Sequence, residues 1–167
     1  MALCFGFALS EDMQYRLYTP DDFAALYAIE EICFKPPLRF DCGYMQRLVR
    51  RSTSATWIAE EDGRMAGFAI VEWSGNGAGI AAYIATIEVL PEHRQRGVGS
   101  ELLRRVEDSA LAVEAGKLWL HVDARNAGAI RLYEAHGYSC EGREEKFYPL
   151  GNAALIYGKV LKSDAER

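Results

Sequence analysis

Residues 82–100 read AYIATIEVLPEHRQRGVGS, and they contain the most informative pattern of the 167-residue chain. A β-favouring run covers residues 83–90, and an amphipathic helix is predicted from Gly97 to about Ala115. Between the two lies the pattern Arg94-x-x-Gly97-x-Gly99. Two glycines let backbone N–H groups approach an anion closely, and a helix N-terminus adds partial positive charge. The segment therefore predicts a phosphate-binding loop between a strand and a helix.

The spacing of the glycines narrows the type of phosphate site. A P-loop requires GxxxxGK followed by Ser or Thr, and a dinucleotide-binding fold requires GxGxxG; the chain has neither pattern. What remains is a pyrophosphate cradle of the acyl-CoA type. Arg94 and Arg96 are expected to add charge-assisted contacts to the phosphates.

Patterns elsewhere predict a single α+β domain around this loop. Helices are predicted from Thr19-Pro20 towards Phe34, over Asp41–Arg51 and over Asn126–His136, and strands over Gln14–Tyr18, Thr56–Glu60, Met65–Trp73, Lys117–Ala124, Phe147–Tyr148 and Ala153–Val160. Asp62-Gly63 predicts a hairpin turn, and Gly116 is expected to cap the central helix. A helical crossover joins the strands at 83–90 and 117–124, so we predict that this pair is parallel.

Composition limits the classes of function. The chain has 19 Lys+Arg against 24 Asp+Glu, a net charge of −5, which argues against general nucleic-acid binding. Its length corresponds to one domain, at about 150 residues per domain. No apolar run reaches the ~18 residues of a membrane span. The apolar residues 1–9 have no preceding Lys or Arg and no following cleavage site, so we expect neither a signal peptide nor a membrane segment.

Cysteine usage favours a reducing compartment. The cysteines and histidines are scattered without zinc-ligand spacing, at Cys4, Cys33, Cys42, Cys140, His93, His121 and His136. We therefore expect free thiols, a cytoplasmic protein and no bound metal. Cys140 has no His or Asp beside it in the sequence, which argues against a nucleophilic cysteine.

These motifs resemble the GCN5-related N-acetyltransferases, the GNAT family. Arg94, Gly97 and Gly99 meet the family's coenzyme motif Q/R-x-x-G-x-G/A, and residues 118–138 (LWLHVDARNAGAIRLYEAHGY) are similar to its strand–Asn–helix–Tyr–Gly segment. The resemblance covers roughly residues 14–161 and is greatest to the branch of the ribosomal-protein alanine acetyltransferases (RimI) and the N-terminal acetyltransferase catalytic subunits.

The resemblance implies a fold. A single acetyltransferase domain over residues 13–162 would contain a mixed, mostly antiparallel seven-stranded sheet, about four flanking helices and a splayed central strand pair. Residues 1–12 are expected to form a flexible N-terminal extension, and residues 163–167 a C-terminal tail.

The resemblance also implies that acetyl-CoA is the co-substrate. The backbone of Ile87, Glu88 and Val89 would run beside the pantetheine arm, with the Val89 N–H polarising the thioester carbonyl. The pyrophosphate would lie on the loop formed by Arg94, Gln95, Arg96, Gly97, Val98, Gly99 and Ser100. Asn126 would contact the pantetheine, and Tyr133 would lie near the thioester sulfur as general acid.

His121 and Tyr83 are the implied groups on the amine side. RimI-type enzymes have Glu at the position of His121, whereas some eukaryotic relatives have His there and a Tyr-Ile-x-Thr run that this chain reproduces at 83–86. Free histidine titrates near pH 6.5, so at pH 7 it can accept a proton directly or through one water. Glu88 acting through water is the alternative base, although an outward strand position fits it equally well. Taken alone, His121, Tyr83 and Tyr133 also fit packing roles.

Acceptor-binding residues are predicted in two loops and on one strand. Phe34, Pro36 and Leu38 lie in a turn that resembles the peptide-binding loop of N-terminal acetyltransferases. Tyr148 belongs to a Phe-Tyr pair that resembles the Tyr-Tyr pair closing the peptide groove, with one hydroxyl missing at Phe147. Tyr83 is expected to contact the acceptor from the strand.

Together these residues predict an N-acetyltransferase that works by direct attack in a ternary complex, since no covalent intermediate is needed. The expected acceptor is the N-terminal α-amine of a protein or peptide. A small-molecule amine such as a polyamine or aminoglycoside is the alternative, as is a non-catalytic acyl-CoA-binding module. The acceptor's identity, the length of the acyl group and the choice between monomer and homodimer stay open.

Overall fold

The computed structural model describes residues 12–76 and 79–161, where one sheet has the strand order β1-β2-β3-β4-β5-β7-β6. The strands are β1 (Gln14–Leu17), β2 (Ser54–Glu61), β3 (Arg64–Asn76), β4 (Gly79–Val89), β5 (Ala115–Asp123), β6 (Ser139–Glu144) and β7 (Ala154–Val160). The helices are α1 (Phe23–Cys33), α2 (Cys42–Arg50), α3 (Val98–Ala112) and α4 (Ala127–Ala135). Apart from Asp12, the predicted extension over 1–12 lies outside the described residues, as does the predicted tail over 163–167.

Local capping explains where the helices begin. The Thr19 N–H donates to the Asp22 carboxylate at 2.7 Å, and a single 3₁₀ turn over Pro20–Asp22 leads into α1. Asp41 accepts the Tyr44 N–H at 3.0 Å at the start of α2. These predicted helix starts are confirmed.

The parallel pair β4 and β5 lies at the centre of an otherwise antiparallel sheet. The two strands pair only from Ile80 opposite Ala115 to Tyr83 opposite Trp119. Beyond that point β4 continues on β3 alone and β5 on β7 alone. A register shift between Ile70 and Val71 of β3 bends and twists the sheet here. The predicted splayed pair is confirmed, and a gap opens between the carboxyl ends of β4 and β5.

The sheet separates two apolar cores. On one face α3 packs its apolar side against the sheet, with Leu102 and Val106 fully buried. On the other face α1 and α2 enclose Leu26, Met45 and Phe68, which are also fully buried. Helices cover both faces of the described sheet, and the gap between β4 and β5 gives a ligand a way in between its layers.

Two local predictions were wrong, and one strand was not predicted. Phe147 and Tyr148 lie in the turn between β6 and β7 rather than in a strand. The strand that the sequence analysis did not predict is β6, which pairs with β7. Its sequence SCEGRE is mostly exposed, since β6 is an edge strand, so no apolar alternation marks it. Gly116 lies inside β5 and does not cap α3, because the chain already turns at Glu114, whose φ is 59°.

Within residues 12–76 and 79–161, none of the helices has the length and apolar character needed to cross a bilayer. Cys33, Cys42 and Cys140 are free thiols in this part of the chain. Cys4 lies outside the described residues.

Candidate active site

The glycine loop presents the N-terminus of α3 to one end of the gap. Gly97 takes a left-handed conformation with φ 81° at the N-cap position, and no described side chain caps the helix. A Cβ placed on Gly97 would have no described atom within 4 Å, so open space lies beside it. The first N–H groups of α3 are therefore available to an anion. Arg94 stabilises the loop, since its Nε–H donates to the Val89 carbonyl at 2.9 Å.

A cavity of about 840 Å³ extends from this loop along the gap. We call it the coenzyme cavity, after the predicted coenzyme residues in its lining. Its lining includes eleven of the twelve predicted coenzyme residues: Ile87, Glu88, Val89, Arg94, Gln95, Gly97, Val98, Gly99, Ser100, Asn126 and Tyr133. Arg96 does not belong to the lining, because its guanidinium pairs with Glu61 at 2.6 Å and lies beside His93. The prediction of a phosphate contact from the Arg96 side chain is not supported by this placement.

The Val89 N–H points into the gap. Successive N–H groups of a strand point to opposite sides. The Leu90 N–H donates to the Ala66 carbonyl of the neighbouring segment at 2.9 Å. The N–H of Val89, one residue earlier, is therefore directed away from β3 and towards the side on which β5 has separated. This is the orientation that an oxyanion donor requires.

Glu88 is buried, not outward as one of the two sequence interpretations had it. Its side chain is 3% exposed, and the Thr86 hydroxyl donates to its Oε1 at 2.9 Å. Burial, followed by the nearby Glu30 carboxyl, raises the pKa of Glu88 to about 10. A carboxyl that holds its proton at neutral pH cannot accept another, so the interpretation of Glu88 as a base through water is not supported.

Tyr83, His121 and Glu144 form a hydrogen-bonded chain on the face of the sheet that lies away from α3. The Tyr83 hydroxyl lies 3.0 Å from His121 Nδ1, and His121 Nε2 lies 3.0 Å from Glu144 Oε2. The register explains the first contact, because Tyr83 is opposite Trp119 and His121 is the next residue of β5 on the same face. A tautomer with the proton on Nε2 donates to Glu144 and leaves Nδ1 to accept the Tyr83 O–H.

Aromatic rings hold His121 in place. Phe147 stacks on the imidazole with a centroid distance of 4.2 Å and an interplanar angle of 16°. Trp119 meets it edge-on at 5.4 Å, and Tyr148 meets Phe147 edge-on at 4.9 Å. The His121 side chain is only 12% exposed as a result. Phe147 thus supplies a packing surface where the resemblance had suggested a lost hydroxyl.

Tyr133 belongs to the wall of the coenzyme cavity and lies within electrostatic range of Tyr83 and Tyr148. Its side chain is 7% exposed and lines the cavity. Burial raises the pKa of Tyr133, and Tyr148 and Tyr83 add to the rise through electrostatic repulsion. Burial also raises the pKa of Tyr83 and of Tyr148 to about 12 each. All three hydroxyls therefore keep their protons at neutral pH and lie within electrostatic range of one another.

A second cavity of about 460 Å³ adjoins Tyr83 and Trp119. Its wall carries an ion pair between Arg51 and Glu72, at 2.7 Å. Of the predicted acceptor residues, Tyr83 lines this cavity, whereas Phe34 lines the coenzyme cavity. In the described part of the chain Pro36, Leu38 and Tyr148 belong to neither lining, so the structure does not bring the predicted acceptor set together in one cavity.

The sequence pattern of the Acetyltransferase (GNAT) family matches residues 15–138, well over half of the chain. The chain belongs to this family. The resemblance found in the coenzyme motif is thereby confirmed, together with the seven-stranded GNAT fold.

Known GNAT relatives differ in what they act on. The streptothricin acetyltransferase of Streptomyces lavendulae is 40% identical over 96 residues, covering 57% of this chain and 50% of that protein. The ribosomal protein bS18-alanine N-acetyltransferase of Escherichia coli K12 is 34% identical over 89 residues, covering 53% of this chain and 57% of that protein. The chain spans about half the length of these curated relatives.

The crystal structure of Arabidopsis thaliana NAA60 in complex with acetyl-CoA has the same fold. It matches with a TM-score of 0.80 at 22% identity, covering 91% of this chain and all of that chain. At this level of identity the similarity establishes the GNAT fold alone.

Several site residues of this GNAT domain were missed by sequence reasoning. Glu144 was missed because its contact with His121 depends on the unpredicted strand β6. Gly128, Arg131 and Ala135 line the coenzyme cavity, and helical spacing from Asn126 could have found them. Cys33 also lines the cavity, at the end of α1. Among the described residues no group of three or more His, Cys, Asp or Glu is arranged to hold a metal ion.

Proposed function

We propose that this protein is an acetyl-CoA-dependent N-acetyltransferase that acts on the α-amine of a protein or peptide N-terminus. One observation carries the proposal: the coenzyme cavity and the Tyr83–His121–Glu144 chain both lie at the splay of β4 and β5, and Tyr133 of the cavity wall is within electrostatic range of Tyr83. That arrangement gives a donor site and a proton-accepting group on two sides of one gap.

The cavity residues fit acetyl-CoA. The uncapped first turn of α3, with open space beside Gly97, suits a pyrophosphate. Arg94 lies at the same end of the cavity, and Asn126 and the backbone of Ile87–Val89 line the part suited to the pantetheine arm. When bound, acetyl-CoA supplies an activated acetyl thioester. The Val89 N–H would stabilise the negative charge that develops on the thioester oxygen.

His121 would act as general base through Tyr83. Both imidazole nitrogens are already hydrogen-bonded, so the group that faces the acceptor is the Tyr83 hydroxyl. Tyr83 would take the amine's proton as it passes its own to Nδ1, and Glu144 would stabilise the imidazolium that forms. The amine must be neutral to attack, and an α-amine with an ordinary pKa near 7.7–8.0 is partly neutral at physiological pH.

Tyr133 would protonate the departing thiolate. Its raised pKa keeps the hydroxyl protonated at neutral pH, and its place on the cavity wall suits donation to a sulfur at the end of the pantetheine arm. Proximity of the two substrates in one complex and polarisation of the carbonyl would supply the remaining rate enhancement.

An acceptor screen tests the proposal. The protein is incubated with acetyl-CoA and a library of peptides with free N-termini, and CoA is detected by its thiol. We expect turnover with a subset of the peptides and none with their N-terminally blocked forms. Failure of every peptide, together with turnover of small amines, would overturn the assignment of the acceptor. Tight binding of acetyl-CoA without turnover of any amine would indicate a non-catalytic binding module.

A small-molecule amine is the second candidate acceptor. The relative with 40% identity is named for acting on streptothricin. The second cavity places the Glu72 carboxylate beside the aromatic rings of Tyr83 and Trp119, a combination that suits a cationic amine. Because Arg51 pairs with Glu72, the cavity is not strongly anionic, and the peptide acceptor is favoured.

A further inference from the structure

Two carboxyl side chains are buried together behind the wall of the coenzyme cavity. Glu30 of α1 is 0% exposed and Glu88 of β4 is 3% exposed. Each has one satisfied oxygen: the Phe40 N–H donates to Glu30 Oε1 at 2.7 Å, and the Thr86 hydroxyl donates to Glu88 Oε1 at 2.9 Å. Each also has an Oε2 that receives no hydrogen bond from any described group.

Among the described residues, no Lys, Arg or His side chain forms an ion pair or hydrogen bond with either carboxyl of the pair. Cys33 of α1 lies close to Glu88, and burial raises the pKa of its thiol to about 11, so Cys33 is neutral. Arg94, from the loop after β4, directs its guanidinium to the Val89 carbonyl and to the Cys33 sulfur. Glu30 lies close enough to Glu88 to raise the pKa of that carboxyl, after burial as the largest cause. Two buried carboxylates this close repel each other strongly and cannot both be charged. A proton shared by the two carboxyls would give a partner to an oxygen on each.

We propose that Glu30 and Glu88 share one proton and act as a positioning pair, which ties the loop over residues 34–40 to the β4 wall of the coenzyme cavity. The connection is continuous: Phe40 of the loop donates to Glu30, the shared proton joins Glu30 to Glu88, and Glu88 lies between the cavity residues Ile87 and Val89. Tyr27 fixes the same loop residue, since its hydroxyl donates to the Phe40 carbonyl at 3.1 Å.

The pair has a consequence for the reaction. The Val89 N–H is the proposed oxyanion donor, and its direction depends on how β4 is held at Glu88. Loss of the shared proton would place two charges behind this wall and push α1 and the loop away from β4. This part of the inference rests on the proposed function, whereas the shared proton can be tested without turnover.

Infrared spectroscopy of protein labelled with ¹³C at its Glu side chains tests the proton directly. At pH 7.5 we expect a band from a protonated carboxyl in the wild type, which is lost in both Glu88→Gln and Glu30→Gln. The band is lost in Glu30→Gln because the new amide donates to Glu88, which then ionises. The exposed Glu92→Gln is the matched control and should keep the band. Absence of the band in the wild type, or its persistence in Glu30→Gln, would overturn the shared proton.

The pH dependence of stability gives a second test. Because the pKa of Glu88 is raised from 4.5 to about 10, the folded state keeps a proton that the unfolded chain loses. The free energy of unfolding should therefore fall as pH rises from about 4.5 to about 10. Glu30→Gln should flatten this slope relative to the wild type in urea titrations over that range. An identical slope in the variant would contradict the proposal.

Kinetics test the positioning role. We expect Glu30→Ala to lower kcat at least tenfold, and Glu30→Gln to stay within about threefold of the wild type, because the amide keeps both the acceptor for Phe40 and a donor to Glu88. Equal losses in the two variants, or none in Glu30→Ala, would overturn the positioning role. Should Glu30→Ala fail to fold, as judged by circular dichroism, the kcat of Glu30→Gln and its stability slope decide. If no acceptor is found at all, the infrared result still decides the shared proton.

Discussion

The coenzyme side and the acceptor side of the β4–β5 splay differ in the groups that they present: backbone groups on the first and side chains on the second. The coenzyme side is made mostly of backbone: a glycine loop, the uncapped start of α3 and a strand N–H directed into the gap. The acceptor side is made of side chains from β4, β5 and β6, joined through His121. Backbone sites depend on short contiguous sequence, whereas side-chain sites depend on long-range pairing. The contrast indicates that the first is suited to a constant ligand and the second to a variable one.

Gly97→Val should have the largest effect and act only on the coenzyme side. A β-branched residue does not tolerate φ 81°, and its side chain would enter the open space beside the helix start. We expect the Kd of acetyl-CoA in calorimetry to rise at least a hundredfold. Gly63→Val is the matched control, because Gly63 has a similar φ of 71° in the β2–β3 turn and does not line the coenzyme cavity. A comparable loss of acetyl-CoA affinity in the two variants would show that the effect of Gly97→Val comes from general destabilisation of the fold.

His121→Ala should act only on the acceptor side. Loss of a general base lowers rates by about 10²–10⁴, so we expect kcat to fall at least a hundredfold. The Kd of acetyl-CoA should change less than twofold, since His121 does not line the coenzyme cavity. Retained kcat would show that the proton leaves by another route. A parallel loss of coenzyme affinity would show that the two sides are not separable.

Tyr133→Phe should affect the boundary between the two sides. The phenyl ring keeps the packing against Tyr138, whose centroid lies 5.7 Å away, and removes only the hydroxyl. We expect kcat to fall by about thirtyfold with little change in KM for acetyl-CoA, because the proton donor to the thiolate is lost. Tyr157→Phe, at a tyrosine bonded to Glu134 instead, serves as control. Normal turnover in Tyr133→Phe would reduce this residue to a packing role.

Glu144→Gln should have the smallest effect. The Glu144 side chain is 49% exposed, so solvent screens its charge and the imidazolium loses only part of its stabilisation. We expect kcat to fall about fivefold, measured with the same peptide as for His121→Ala. Glu145→Gln, next along the chain, should leave kcat unchanged. A fall as large as that of His121→Ala would mean that Glu144 has a more direct part in proton transfer.

The same contrast explains how much the sequence could predict. The strand, loop and helix around Arg94 and Gly97 are contiguous, so periodicity and glycine spacing were enough to predict the loop at one end of the coenzyme cavity. The other predicted residues of its lining followed from the family resemblance. The β4–β5 splay and the Tyr83–His121 contact followed from the family resemblance, and the structure has both. Glu144 could not be predicted, because the edge strand that carries it has no apolar periodicity.

Burial was the other property that sequence patterns could not supply. Glu88 lies in a strand whose alternation allowed either face, and only the packing of α1 on β4 shows that its carboxyl is enclosed with Glu30. The placement of Arg96 depends in the same way on a partner, since Glu61 from the β2–β3 hairpin draws its guanidinium out of the cavity. Phe34 lines the coenzyme cavity because α1 ends beside it.

The central claim is that the gap between β4 and β5 receives acetyl-CoA on the backbone of β4 and the glycine loop. Titration of ¹⁵N-labelled protein with acetyl-CoA, followed by amide NMR shifts, tests it most directly. We expect the largest shifts at the N–H groups of Val89, Gly97, Gly99 and Ser100. Unchanged amides at these four positions, with shifts confined to the residues around Arg51 and Glu72, would contradict the account.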